Sequence, residues 1–267
     1  MTTRNLNLVI KIGTAALGAA DGMPDPKVLG NLVAELAALK KAGHQVILVS
    51  SGAVGTGRAM VKKNKPLHRV DPVAEKQILA SLGQAKLMAL YQELLSKHDL
   101  LGSQILLTKQ DFRTRDHHKH IAHLLNALRQ QPHILPIVNE NDSVTNEEMI
   151  QVKNFSDNDE LAGLLAQLVK ANRLIVLSHI DGIYDKSPDQ KGAKIISRID
   201  GKTSIDTRGK SQSGRGGMAS KLSVAKKMSV FGIQTHIASA RAKNVLVRLL
   251  KNEKVGTTVV AAKRGKK

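Results

Sequence analysis

The chain has 267 residues, 42% of them hydrophobic, and a formal net charge of +19, which allows one sizeable buried core. It contains no cysteine, which excludes disulfides, thiolate catalysis and cysteine-ligated metals. No apolar stretch approaches the roughly 20 residues that cross a bilayer, and residues 1–5 lead into a strand rather than a signal peptide. We therefore predict a cytoplasmic protein with no membrane partner.

The first predicted elements form one strand-helix-strand unit. The β-branched and apolar run at 6–12 predicts a buried strand that ends at Gly13. Asp25-Pro26 begins a helix that ends before Gly43, and 46–49 predicts the next strand. A unit of this kind requires a parallel sheet.

The rest of the chain continues the same alternation. Further helices are predicted at 71–97, 116–129, 157–169, 214–230 and 242–250, and strands at 103–107, 134–138, 174–177, 234–237 and 257–260. The segment 143–155 lacks a helical period and is interpreted as a short hairpin. We predict an α/β protein, a three-layer α/β/α sandwich with a mostly parallel central sheet. Its single domain would span 1–262, with a basic tail at 263–267.

Two clusters of acidic and amide residues lie close together in the middle of the chain. Asn139–Asp142 directly follows the strand predicted at 134–138, and Asp157–Asp159 begins a predicted helix. Polar groups at a strand's carboxyl end and free N–H groups at a helix start both face the ligand-binding edge of a parallel sheet. Either cluster alone is typical of a polar turn or a helix cap. Together they favour a functional site.

Two lysines accompany glycine-containing loops of a phosphate-binding kind. Lys11 precedes Gly13 at the end of the first strand, and Lys221 follows the glycine-rich segment 214–217 in the first turns of a helix. The second loop departs from a Walker loop because Leu222 follows the lysine in place of Ser or Thr. Cations on a phosphoryl group and polar groups around an acceptor are the parts that phosphoryl transfer needs.

These motifs resemble the amino acid kinase superfamily, and within it the glutamate 5-kinases. The matching segments follow one another along almost the whole chain: 9–14, 49–53, 104–108, 136–142, 157–159, 181–184 and 216–221. The two acidic-amide clusters are the part most particular to the glutamate-phosphorylating members.

The resemblance implies ATP-dependent phosphorylation of the γ-carboxylate of L-glutamate, the first step of proline synthesis. Lys11 and Lys221 would neutralise the transferring phosphoryl group, and Asp159 would hold the two lysines in place. The implied glutamate-binding residues are Ser51, Asn139, Asp142 and Asn158, with Asp142 as the partner of the ammonium group. The implied nucleotide-binding residues are Lys11, Ser178, His179, Arg215, Gly216, Gly217, Met218 and Lys221. Mg²⁺ would be carried by the ATP phosphates rather than by a protein metal site.

The sequence departs from the family's pattern at two positions on the nucleotide side. Arg215 stands where a threonine is usual, and Ser178-His179 stands where the pattern has Thr-Asp. Many members carry a C-terminal RNA-binding-like domain, and we expect only the kinase domain here. The family also implies a homo-oligomer, a dimer or tetramer, and proline as a possible feedback inhibitor. Two alternatives stay open: another small carboxylate or phosphate acceptor, or a nucleic-acid-binding or inactive member.

The positive charge and a histidine cluster receive plainer interpretations. Nucleic-acid binding usually adds aromatic stacking residues, and the chain has no Trp, two Tyr and three Phe, so we interpret the charge as a solvated basic surface. Four histidines near the start of one helix are His117, His118, His120 and His123. No carboxylate or cysteine completes a ligand set around them, so a polar helix face is favoured over a metal site.

Overall fold

The computed structural model describes residues 5–64, 67–145, 158–200 and 217–262. Its strands are β1 (Asn7–Ile12), β2 (Gln45–Val49), β3 (Leu101–Leu107), β4 (Ile134–Glu140), β5 (Arg173–Ser178), β6 (Arg198–Ile199), β7 (Gln234–Ser239) and β8 (Thr257–Val259). Its helices are α1 (Thr14–Leu17), α2 (Pro26–Lys41), α3 (Ala53–Lys63), α4 (Pro72–Ser96), α5 (Arg115–Gln130), α6 (Asn158–Leu168), α7 (Met218–Val230) and α8 (Val245–Leu250), with a short 3₁₀ helix at Lys109–Phe112.

The strands form one sheet in the order β3-β4-β2-β1-β5-β7-β8-β6. The first six strands in that order run parallel, and β8 turns antiparallel to β7. The central strand β1 pairs Ile10 with Leu48 on one side and with Ile175 on the other. The prediction of a mostly parallel sheet is confirmed, and the carboxyl ends of its parallel strands share one edge.

Helices cover both faces of this sheet. Alternate residues of β1 point to opposite faces, so Leu8 and Ile10 belong to one hydrophobic core and Val9 to the other. The first core includes residues of α2, α4 and α8, and the second includes residues of α5, α6 and α7. The predicted three-layer sandwich is therefore confirmed. No helix within the described part of the chain is long and apolar enough to cross a membrane.

Observed helix starts agree with the predicted ones where the capping side chain accepts hydrogen bonds from the first turn of its own helix. The Asp25 carboxylate accepts hydrogen bonds from two N–H groups of the first turn of α2, and Asp71 does the same for α4. The last predicted helix is shorter than expected and begins at Val245, because Asn244 before it adopts a left-handed conformation with φ of 52°. The hairpin predicted at 143–155 lies largely outside the described residues.

The helices α3 and α4 cross at very short distance, and two glycines make this possible. A Cβ atom on Gly83 would overlap the backbone carbonyl of Ala53, and one on Gly57 would overlap the carbonyl of Leu79. The crossing fixes the start of α3, which directly follows Ser51-Gly52 at the sheet's carboxyl edge. Packing of α3 on α4 therefore sets the position of a predicted site residue.

Candidate active site

Several sequence-predicted site residues meet at the carboxyl edge of the sheet. Lys11 lies near the end of β1, Ser51 follows β2, and Asn139 lies near the end of β4. The start of α6 supplies Asn158 and Asp159. Because these strands are parallel and adjacent, residues far apart in sequence reach one region.

Asp159 bridges the two predicted phosphate-binding lysines. Its Oδ1 lies 2.7 Å from Lys11 Nζ and its Oδ2 lies 2.9 Å from Lys221 Nζ. The Asp159 side chain is fully buried, and those of Lys11 and Lys221 are 4% and 7% exposed. One carboxylate thus holds an ammonium group on each of its oxygens.

The electrostatics of this group of three favour an anionic ligand. Burial alone would raise the pKa of Asp159, but the charges of Lys11 and Lys221 and their hydrogen bonds outweigh it and hold that pKa below its usual range. These three groups place two positive charges and one negative charge in a poorly hydrated place. A phosphoryl group carries the complementary charge.

Local backbone features bring both lysines to Asp159. A Cβ atom on Gly13 would lie 3.3 Å from Lys11 Nζ, so the absent side chain leaves room for that ammonium group. Lys221 lies in the first turn of α7, where its N–H donates to the carbonyl of Gly217 at 3.3 Å. Gly13 and the start of α7, both predicted to adjoin phosphate, therefore lie beside the buried lysines.

A second group of side chains links the two acidic-amide clusters. Asn158 Nδ2 lies 2.7 Å from Ser51 Oγ, 3.0 Å from Asn139 Oδ1 and 3.1 Å from the Ser50 carbonyl oxygen. Asn139 Nδ2 in turn donates to Gln84 Oε1 at 2.9 Å. Three of the four predicted glutamate-binding residues therefore form one hydrogen-bonded network.

The loop after β2 rests on a buried tyrosine. Ser50 Oγ and Tyr91 Oη lie 2.9 Å apart, and Tyr91 is fully buried within α4. Burial raises the pKa of Tyr91, so its hydroxyl stays protonated and available for this hydrogen bond. Tyr91 thereby supports the backbone that presents Ser51.

Asp142, the fourth predicted glutamate-binding residue, forms an ion pair. Its Oδ1 lies 2.7 Å from Lys76 Nζ at the start of α4. The loop that carries Asp142 is closed by the Thr145 hydroxyl, which donates to the Asn141 carbonyl at 2.9 Å. Gln77 Nε2 reaches the Thr145 carbonyl at 3.2 Å, so α4 also holds the end of this loop.

The predicted nucleotide side is described only in part. Ser178 is buried at the end of β5, where its carbonyl accepts from Ala240 N–H at 2.9 Å, while His179 is exposed. Gly217 and Met218 lie at the start of α7. Arg215, Gly216 and also Asp157 of the second cluster lie outside the described residues.

Sequence reasoning missed three residues of α4 at the site. Lys76 and Gln84 contact the predicted residues Asp142 and Asn139, and Tyr91 contacts Ser50, the neighbour of Ser51. Lys76 and Gln84 are eight residues apart, which places them on the same side of a helix. The sequence did contain a signal for them. Lys76 and Gln84 align on one side of a helix that also buries Leu79 and Leu87, and this alignment indicates polar groups turned toward the protein.

The predicted histidine cluster lies on α5. His118 packs edge-on against Phe112, and its Nε2 lies 2.8 Å from the Phe112 carbonyl oxygen. His117, His120 and His123 are exposed. His118 therefore links α5 to the 3₁₀ helix that precedes it.

The fold and the site together define a class of protein: an α/β/α sandwich with two buried lysines bridged by one aspartate at the sheet's carboxyl edge. The chain belongs to the amino acid kinase family, whose family model matches residues 7–239. The predicted resemblance to that superfamily is confirmed.

Curated relatives and solved structures agree with this membership. The chain is 40% identical over 260 residues to a glutamate 5-kinase of Chlorobaculum tepidum, covering 96% of this chain and 69% of the relative. It is 38% identical to a glutamate 5-kinase of Bacteroides thetaiotaomicron, covering 91% and 66%. The chain thus spans about two thirds of the length of these relatives. Carbamate kinase from Giardia lamblia bound to AMP-PNP shares the fold, with a TM-score of 0.68, 16% identity and coverage of 98% and 100%.

Proposed function

We propose that this protein uses ATP to phosphorylate the γ-carboxylate of L-glutamate, giving L-glutamyl 5-phosphate and ADP for proline biosynthesis. The observation that carries the proposal is the Lys11–Asp159–Lys221 group beside the Ser51–Asn139–Asn158 network. The first suits a phosphoryl group, and the second suits a polar acceptor. The similarity to glutamate 5-kinases supports glutamate as that acceptor.

On the phosphoryl side, the two lysines act as paired cations. A γ-carboxylate oxygen of glutamate attacks the γ-phosphorus, the bond from that phosphorus to the β,γ-bridging oxygen breaks, and ADP leaves with the bonding electrons. Lys11 and Lys221 stabilise the charge on the transferring group. Asp159 keeps the two ammonium groups together before ATP binds.

On the acceptor side, the amide network orients glutamate. Among the described residues, Asn158 Oδ1 is buried and has no hydrogen-bond partner. A buried acceptor without a donor is costly, and the substrate ammonium, while paired with Asp142, would also donate to it. Asn139 bonds both Gln84 and Asn158, so within this proposal it also fixes the orientation of Asn158.

The side chains of the site fit ATP carrying Mg²⁺. Among the described residues, the ammonium groups of Lys11 and Lys221 can bind phosphate oxygens, and both oxygens of Asp159 contact those groups. We therefore assign Mg²⁺ to the ATP phosphates, where it would neutralise charge on the leaving group. Ser178, His179 and the segment from Arg215 to Lys221 are proposed to hold the nucleotide.

The other parts of the proposal concern organisation and regulation. We propose a single kinase domain over 1–262, a basic tail at 263–267 and a cytoplasmic location. A homo-oligomer and inhibition by proline stay predictions from family membership.

A hydroxamate assay tests the proposed reaction directly. Purified protein is incubated with ATP, Mg²⁺ and hydroxylamine, which traps an acyl phosphate as a coloured hydroxamate. L-glutamate is compared with L-aspartate and N-acetyl-L-glutamate as acceptors, and proline is added in a second series.

We expect hydroxamate from glutamate well above that from the other two acceptors, together with an equal amount of ADP. Equal yields from all three acceptors would refute glutamate specificity. ADP release without any hydroxamate would refute acyl-phosphate formation.

A further inference from the structure

Lys76 forms an ion pair with the residue predicted to bind the ammonium of glutamate. Lys76 Nζ lies 2.7 Å from Asp142 Oδ1, and the two side chains are 32% and 18% exposed. A positive group and a negative group thus stand side by side and half-buried. A partly exposed ion pair of this kind contributes little to stability, typically under about 1 kcal/mol.

The helix face that carries Lys76 already serves the site. Lys76, Ala80 and Gln84 follow at intervals of four residues, so they line one side of α4. Gln84 bonds Asn139 of the amide network. A cavity of about 280 Å³ lies between α4 and the ends of β3 and β4, and its lining includes Ala80, Gln84 and Asp142. Lys76 is not part of that lining and adjoins it through its ion pair with Asp142.

A purely structural role for the pair is already filled by another contact. Gln77 Nε2 donates to the Thr145 carbonyl and thereby attaches the same turn of α4 to the loop after β4. The Lys76–Asp142 pair is therefore not needed to attach the loop to α4, and what it contributes at this place is two charges.

The chemistry of the pair matches the head group of an α-amino acid. Such a head group carries an ammonium and a carboxylate on one carbon atom, so an aspartate and a lysine in contact can each face the opposite charge. Four alternating charges in a partly desolvated place attract one another more strongly than the protein pair alone.

We propose that Lys76 is a substrate-positioning residue that binds the α-carboxylate of the acceptor while Asp142 binds its ammonium. This inference rests on the proposed function, since it assigns a subsite within the same reaction. The γ-carboxylate, at the other end of the substrate, is then left for the phosphoryl group.

The test separates binding of the head group from the chemical step. The variants are Lys76→Met, Lys76→Arg and, as a matched control, Lys86→Met, which removes an exposed lysine of the same helix. Hydroxamate formation gives KM and kcat for glutamate in each. Glutarate, which lacks the ammonium, and 4-aminobutyrate, which lacks the α-carboxylate, are added as competitive inhibitors.

We expect Lys76→Met to raise the KM for glutamate by about ten- to a hundredfold, the range of a hydrogen bond to a charged group, with kcat changed less than about threefold. Lys76→Arg should recover part of this loss, and Lys86→Met should behave as wild type. Lys76→Met should also weaken inhibition by glutarate while leaving inhibition by 4-aminobutyrate unchanged.

Each other result has a distinct meaning. An unchanged KM in an active Lys76→Met variant would overturn the inference, because Lys76 would then not bind the substrate. A lowered KM would also overturn it, because Lys76 would then compete with the substrate ammonium for Asp142. A wild-type protein that forms no hydroxamate from glutamate would overturn the proposed function and this subsite with it.

Discussion

Lys11 Nζ and Asp159 Oδ1 lie 2.7 Å apart, and neither side chain is more than 4% exposed. Burying two charges is unfavourable, and their attraction offsets this only when geometry and further hydrogen bonds are good. Here the second oxygen of the same carboxylate binds a second buried lysine, Lys221. A bound phosphoryl ligand would add negative charge beside the two ammonium groups and so offset the cost of burying them.

Asp159→Asn should be strongly destabilising in the absence of ligand, because it removes the carboxylate that pairs with two buried ammonium groups. We expect the free energy of unfolding, measured with urea at neutral pH, to fall by about 3–5 kcal/mol. A non-hydrolysable ATP analogue should raise the melting temperature of the variant more than that of wild type, since its phosphates replace the lost charge.

Asp116→Asn serves as the control for that variant. The Asp116 side chain is 80% exposed and forms an ion pair of 3.2 Å with the exposed Lys119. Loss of this exposed carboxylate should change the free energy of unfolding by less than about 1 kcal/mol. If Asp159→Asn were as stable as Asp116→Asn, the buried lysines would not depend on Asp159.

Lys221→Met should reduce turnover far more than it weakens glutamate binding. An ammonium group that stabilises developing charge acts mainly in the transition state, and losing such a donor typically lowers kcat by about 10²–10³. The measurement is kcat and KM for glutamate from the hydroxamate assay. Lys226→Met, an exposed lysine of the same helix, should leave both unchanged. Equal losses in kcat and in glutamate affinity would argue against a transition-state role.

His236 should make the protein sensitive to mild acid. Burial, assisted by the nearby Arg173 charge, lowers the pKa of His236 to about 4 in the folded state. The His236 imidazole binds a proton near pH 6.5 in the unfolded chain and near pH 4 in the folded protein. The free energy of unfolding therefore decreases as the pH falls from 6.5 to 4, by about 3 kcal/mol in total.

His236→Gln should remove this part of the acid sensitivity while retaining a hydrogen-bonding side chain near Thr258. Urea unfolding at several pH values from 7 to 4 measures the effect as a shallower slope than in wild type. His117→Gln, at an exposed position, should keep the wild-type slope. The same slope in His236→Gln and wild type would mean that His236 titrates normally in the folded protein.

Gly83→Ala should separate α3 from α4, because the added methyl group overlaps the Ala53 carbonyl. Overpacking of this kind costs about 1–3 kcal/mol or more, and the shift of α3 should also raise the KM for glutamate through Ser51. Gly30→Ala is the matched control, since a Cβ there meets no atom within 4 Å. That variant should gain about 0.5–1 kcal/mol from helix propensity, measured by urea unfolding.

Local chemistry explains which elements were predictable from the sequence. Asp25-Pro26 and Asp71-Pro72 cap their helices with their own side chains, so both starts were predicted correctly. The two-residue strand β6 was missed, because a segment of that length has no periodicity and exists only through its pairing with β8.

The amino-acid sequence by itself determined the α/β alternation, the parallel sheet and the identity of Lys11, Asp159 and Lys221 as candidate site residues. Each depends on short-range patterns: capping, periodicity and small residues after strands. The family resemblance implied that Asp159 holds both lysines, and the tertiary structure supplied the contacts. Only the tertiary structure decided that Lys76 pairs with Asp142. Those contacts join residues brought together by sheet order and helix packing, and no local pattern encodes a distance between them.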